Sequence, residues 1–134
     1  MIERTGRKAN ERRDDLRHRG RFVIQRSDAF RFAIDAVLLA HFPKYRARDR
    51  VLDLGTGAGV LPLLMAEQAA HIEAVEIDAD LADMAARSVA QNGLADKITG
   101  RGGDYRDIAS LYPRESFDLV LANPPYYPTG KGKI

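Results

Sequence analysis

The sequence predicts an α/β domain, with helices packed on a mostly parallel sheet. Three observations lead there. Residues 51–54 (VLDL) form a short apolar-rich run with no clean alternation, as expected of a central strand covered on both faces. That run breaks into Gly55, Gly57 and Gly59 and re-enters apolar, helix-like sequence. A second strand-then-helix unit follows over residues 72–92, and a last apolar run, FDLVLA, occupies residues 117–122. Alternation at this spacing builds βαβ units and hence a doubly wound sheet. At 134 residues the chain fits one domain, large enough for a real core but small for a complete doubly wound enzyme.

Each element has a local reason. Residues 1–20 show no apolar period and are expected to form a basic, mobile arm ahead of a domain over 21–134. Arg21-Phe22-Val23-Ile24-Gln25 is β-prone and reads as a short strand. Ser27 or Asp28 can cap a following helix by accepting from its free first-turn N–H groups. Phe30, Ala33, Ile34, Val37, Leu38 and His41 recur at helical intervals, and Pro43 ends the pattern. After the strand at 51–54 and the glycines, a helix runs to about residue 70, with Pro62 in its first turn where a missing N–H costs little. Residues 72–77 (IEAVEI) form the next strand. Asp78 or Asp80 starts a helix with Leu81, Met84, Ala85 and Val89 inward and Gly93 as its stop. A strand is expected over 97–101, a short helix or loop at 104–107, and the final strand at 117–122 leads into Asn123-Pro124-Pro125-Tyr126.

Composition narrows the function classes. The absence of cysteine excludes disulfides, thiolate metal sites and a cysteine nucleophile. The three histidines, His18, His41 and His71, are scattered and suggest no metal site. No apolar run approaches a membrane span and the N-terminus is charged, so no membrane contact and a cytoplasmic location are expected. The net charge of +2 is uneven: residues 1–26 hold nine Arg or Lys against four Asp or Glu. A basic end on a mildly acidic body suits contact with RNA or DNA, or simply a solvated terminus.

Two motifs carry chemistry. Glycines spaced as in G-x-G-x-G let the backbone turn tightly and bring a ligand close to main-chain N–H groups. Glu76 ends the next strand nineteen residues past Gly57, where an acid in a doubly wound sheet can take the two hydroxyls of a ribose. Asp78 competes for that task. The second motif is NPPY at the tip of the last strand, the end at which open α/β sheets place ligands. Its prolines fix φ and remove two donors, leaving carbonyls free to accept. The Asn123 side chain and the Pro124 main chain can together receive two hydrogen bonds from a planar amine. Tyr126 offers a face for stacking on the ring that bears it.

In these motifs the chain resembles the class I S-adenosylmethionine-dependent methyltransferases of the amino-methylating kind, whose fold is Rossmann-like. VLDLGTGAG is similar to the first motif of that family, AVEID to the second, GGD to the third and NPPY to the fourth. DDLRHRGRFVIQRSDAFRFAIDAVLLAHF resembles the N-terminal region of bacterial tRNA adenine-N6 methyltransferases acting on a valine tRNA. The resemblance implies S-adenosylmethionine as cofactor, its methionine part on Gly55, Gly57 and Gly59 with Asp53 nearby. It further implies Glu76 on the ribose, Asp104 on the adenine amine with Tyr105 beside it, and Asn123, Pro124 and Tyr126 around the target base. Phe32 and Asp35, in the preceding helix, would close over the cofactor.

NPPY alone is shared with DNA adenine, rRNA guanine and protein glutamine methyltransferases, so it fixes acceptor chemistry better than substrate. The family fold has seven strands, and the last of them find no counterpart after NPPY. That leaves FDLVLA as an uncovered apolar edge, which invites pairing with a second copy of the chain. Three functions follow as expectations: methyl transfer to the N6 amine of an adenine in tRNA, with this chain as its cofactor-binding part; a non-catalytic nucleoside- or RNA-binding module; or glutamine methylation of a protein.

Overall fold

The computed structural model describes residues 8–27, 40–41 and 46–122. Two sheets are present among them. A hairpin pairs β1 (Glu11–Asp15) antiparallel with β2 (Phe22–Arg26), in register Glu11↔Arg26 to Asp15↔Phe22. The main sheet holds β3 (Arg50–Leu54), β4 (His71–Glu76), β5 (Ile98–Gly102) and β6 (Leu119–Ala122) in the order β5-β4-β3-β6, all parallel. The chain thus steps outward from β3 through β4 to β5, then returns to the other side of β3. That reversal puts a topological switch point at the carboxyl end of β3, where ligands enter sheets of this kind.

Helix α1 (Val60–Met65) follows the glycine loop and runs on as a 3-10 turn, Ala66–Gln68. Every residue from Leu61 to Met65 is buried, which explains why this stretch has no polar face. Helix α2 (Ala79–Gln91) is amphipathic, burying Met84, Ala85, Ser88 and Val89. Asp78 caps it, its side chain accepting from the N–H groups of Asp80 and Leu81 at 2.9 and 3.1 Å. A 3-10 turn (Tyr105–Asp107) and the short α3 (Ile108–Leu111) lead towards β6. Register-aligned Val51, Ile72 and Ile98 share one face of the sheet and join α1, Val89 and the hairpin residues Leu16 and Val23 in a single core. β6 stands at the outer position of the sheet among the described residues, with Val120 52% exposed.

Residues 8–20 correct the expectation of a mobile arm. They form β1 and the hairpin turn, docked on α2. Apolar periodicity could not reveal this strand, because its inward positions are carboxylates. Glu11 is 5% exposed, Asp14 7%, and only Leu16 is apolar. Asp14 accepts from Arg12 and Gln25. Glu11 takes a bidentate pair from Arg87 of α2, both contacts at 2.6 Å, and Arg87 also reaches Asp83 at 2.9 Å. Helix side chains satisfy the free edge of β2: Ser88 accepts from the Ile24 N–H at 2.8 Å, while Asn92 bonds both the N–H and the carbonyl of Phe22. At the turn, His18, Arg19 and Arg21 converge on Glu67.

Arg87→Ala strands the Glu11 carboxylate in a buried position and is expected to cost about 2–3 kcal/mol in urea unfolding. The Arg87 hydrogen bond holds the Glu11 pKa below its ordinary 4.5. Its contribution is therefore complete above that pH and fades as pH falls through the lowered value. The difference between wild type and variant should shrink on acidification, and a gap that persists unchanged would contradict the ion-pair account.

Candidate functional site

Three segments meet at the carboxyl ends of β3 and β4. The first is the loop after β3. Gly55 and Thr56 both donate their N–H to the Val75 carbonyl, at 2.9 and 3.0 Å, so the loop is stitched to β4 as it leaves the sheet. Gly57 has φ +60° and Gly59 φ +95°, backbone that side-chain-bearing residues resist. The two glycines have different reasons to lack a Cβ. At Gly59 it would meet the Ala85 Cβ at 3.2 Å, so this glycine lets α1 approach α2. At Gly57, and at Gly55, nothing among the described residues lies within 4 Å, so with respect to them the loop presents bare backbone to open space.

Glu76 supplies the second part. Its carboxylate, in a residue only 7% exposed, accepts from the Gly57 N–H at 2.8 Å and from the Asp78 N–H at 3.0 Å. Each oxygen keeps a further lone-pair position. The two acids stand differently: Asp78 caps α2 through one carboxylate oxygen, and Glu76 faces the loop. Ile77 follows at 61% exposure, a large apolar side chain at the rim that motif spacing did not single out. The signal lay in the sequence as an isoleucine between two acids just where the strand leaves the sheet.

The third part is Asp53, 1% exposed, with neither carboxyl oxygen hydrogen-bonded among the described residues. Burial pushes its pKa from 3.8 up to about 7, and the charge of Glu76 adds to the rise. The Thr56 hydroxyl pulls the other way, but it too is buried without a hydrogen bond of normal geometry.

The sequence model of the family described as methyltransferase small domain matches residues 21–133. The chain belongs to that family. As a methyltransferase small domain it has curated relatives in enteric bacteria. It is 33% identical over 124 residues to the tRNA1(Val) (adenine(37)-N6)-methyltransferase of Citrobacter koseri, covering 89% of this chain and 49% of that one. It is 36% identical to the protein of the same name from Salmonella enteritidis, with the same coverage. The chain thus spans about half the length of the curated relatives it matches. Among solved structures, Methanocaldococcus jannaschii Trm5 in complex with adenosine superimposes with a TM-score of 0.69 over 90% of this chain and 37% of that one, at 18% identity. That likeness bears on the fold, which is the Rossmann-like sheet of methyltransferases.

Within this methyltransferase domain the other expected site residues divide. The Gly103 N–H donates to the Glu76 carbonyl at 3.0 Å, tying the Asp104 loop to the end of β4. Asp104 itself is engaged by Arg106, whose side chain reaches both carboxylate oxygens at 2.5–3.0 Å and holds its pKa below the usual range. An adenine amine at Asp104 would share those oxygens with Arg106. Tyr105 opens the 3-10 turn beside it. β6 ends at Ala122, register-paired with Leu54. Asn123, Pro124 and Tyr126, like Phe32 and Asp35, lie outside the described residues. A polar cleft of about 90 Å³ lies elsewhere, between the hairpin and the first turns of α2. Among the described residues no cluster of His, Asp or Glu could hold a metal ion, and no helix is long and apolar enough to cross a membrane.

Proposed function

We propose that this chain binds S-adenosylmethionine across residues 55–59 and Glu76 and is the cofactor-binding part of an enzyme that methylates the N6 amine of an adenine in tRNA. The observation that carries the reading is the bond from Gly57 N–H to the Glu76 carboxylate. It puts a hydroxyl-accepting acid against a loop whose glycines leave open space above them. The residues fit the cofactor on three counts. Bare backbone at Gly55 and Gly57 can approach its methionine end, Glu76 retains lone pairs for two ribose hydroxyls, and the orphaned Asp53 oxygens can face its cationic groups. Ile77 gives an exposed apolar surface on which the purine can rest.

When bound, the cofactor supplies an activated methyl group on a sulfonium. This chain's part is alignment and acceptance of hydrogen bonds. Asn123 and the Pro124 carbonyl draw the amine's hydrogens, directing its lone pair toward the methyl group, and the same acceptors stabilise the positive charge that grows on nitrogen. Tyr126 stacks on the base. No general base is needed beforehand, since the methylated amine sheds its proton afterwards. The names of the curated relatives support an adenine in tRNA as acceptor, and a base in an anticodon loop is cheaper to expose than one in a stem. The hairpin supports a nucleic-acid partner over a protein one, because Arg13, Arg17 and Arg19 are all exposed on it. Calorimetry of the folded chain with S-adenosylmethionine tests the core of the reading. Saturable binding of one equivalent is expected; a folded sample that takes up none overturns it.

A further inference from the structure

Asp53 lies at the centre of this site yet contributes no hydrogen bond to the fold. Its side chain is buried, and among the described residues neither oxygen has a hydrogen-bond partner of normal geometry. An ionised carboxylate held that way carries an uncompensated desolvation cost, which shifts the group toward its neutral form. Glu76 differs in its surroundings: its oxygens accept from two backbone N–H groups. A buried carboxyl without such donors, beside a second carboxylate, is shifted toward its protonated form. The remaining surroundings agree. In register beside Asp53 stand Ala74 on β4 and Leu121 on β6, both apolar, and the loop offers only the Thr56 hydroxyl. Among the described residues Glu76 is the charged group that acts on it, and its pKa of about 7 follows from burial first and that charge second.

We propose that a cationic ligand settling on the glycine loop draws the remaining proton off Asp53, so that cofactor binding releases a proton to solvent. The inference rests on the cofactor reading above, since S-adenosylmethionine carries an α-ammonium and a sulfonium. A cation within about 4–6 Å lowers a carboxyl pKa by about 1–3 units. The balance is simple: the O–H bond of Asp53 breaks, its electron pair stays on the carboxylate oxygen, and the proton passes to buffer. Nothing is oxidised or reduced. The new carboxylate becomes the counter-ion of the ligand.

The test is calorimetric titration of this chain with S-adenosylmethionine at pH 6, 7 and 8. Each pH is run in two buffers of different ionisation enthalpy. With the bound pKa lowered by about 2 units, release should be about 0.8 proton per ligand at pH 6, about 0.5 at pH 7 and about 0.1 at pH 8. The ligand's own α-amino group takes up protons at the alkaline end, and Asp53→Asn should retain that part alone. Should Asp53→Asn fail to fold, infrared difference spectra of the wild type serve instead, through a protonated-carboxyl band lost on binding. Binding with buffer-independent heat at pH 6, or with no loss of that band, overturns the proton linkage and leaves the cofactor reading standing. Absence of binding in a folded sample overturns the cofactor reading, and this inference with it.

Discussion

Asn123→Ala is expected to lower kcat for methyl transfer by about 10²–10³-fold while the S-adenosylmethionine Kd stays within about twofold, the size and selectivity seen when one preorganised transition-state hydrogen-bond partner is removed. The asymmetry follows from where the residue acts. Asn123 comes directly after Ala122 in sequence, and Ala122 is register-paired with Leu54 of the strand that feeds the glycine loop. Its proposed contact is with the acceptor amine, whose charge grows as the methyl group arrives. Such an interaction is stronger in the transition state than in the ground state, so its loss falls on kcat. The cofactor, in the proposed reading held by the loop and Glu76, has no reason to loosen. Residual activity should persist, because the Pro124 carbonyl is a main-chain group that substitution at Asn123 does not remove. The measurement pairs methyl incorporation into tRNA, in a form of the protein that carries the transfer activity, with calorimetric affinity for the cofactor. Equal loss of both would contradict the assigned role and make Asn123 part of the cofactor site or of the fold.

The main sheet was legible because its strands are apolar and its punctuation is glycine. Residues 51–54, 72–77 and 117–122 fall within about two residues of β3, β4 and β6, and Asp78 and Gly93 bracket α2 as expected. Even the weakly marked stretch at 97–101 is a strand, Ile98–Gly102. Its glycines, at positions 100 and 102, leave room on an edge that carries little side-chain packing. The helix after the glycine loop came out shorter, because the chain tightens from α into a 3-10 turn at Ala66. β1 was illegible for a physical reason: it buries Glu11 and Asp14, and apart from Arg12 the side chains that compensate them lie eleven to seventy-six residues away. Hydrophobic pattern reads burial that water drives. It is blind to burial that a distant Arg87 permits. At the site, spacing pointed to Glu76 and the family resemblance to Asp53, but neither could distinguish their surroundings. The difference lies in two N–H donors, from Gly57 and Asp78, that aim at one acid and not the other.

That difference yields the other large effect. Glu76→Gln, though isosteric, should weaken S-adenosylmethionine binding by about 30–100-fold, the loss of one ribose hydrogen bond at about 1.5–3 kcal/mol for a bond to a charged group. The carboxylate now accepts at both oxygens, from Gly57 at 2.8 Å and Asp78 at 3.0 Å. An amide can accept at only one end and would turn an N–H toward the other donor. One loop contact fails, and the glycine loop loses the anchor that holds it open above Gly57. Asp78→Asn is the control: asparagine caps helices about as well as aspartate, so binding should change less than threefold. Comparable losses in the two variants would mean that Asp78 shares the ribose and that the bond from Gly57 to Glu76 is only structural. The substitution also reaches Asp53. Removing the Glu76 charge takes away the second cause of its raised pKa while leaving burial, the larger one. Proton release in Glu76→Gln should therefore survive but move to lower pH. Release that vanished altogether would identify Glu76, not burial, as what keeps the proton on Asp53.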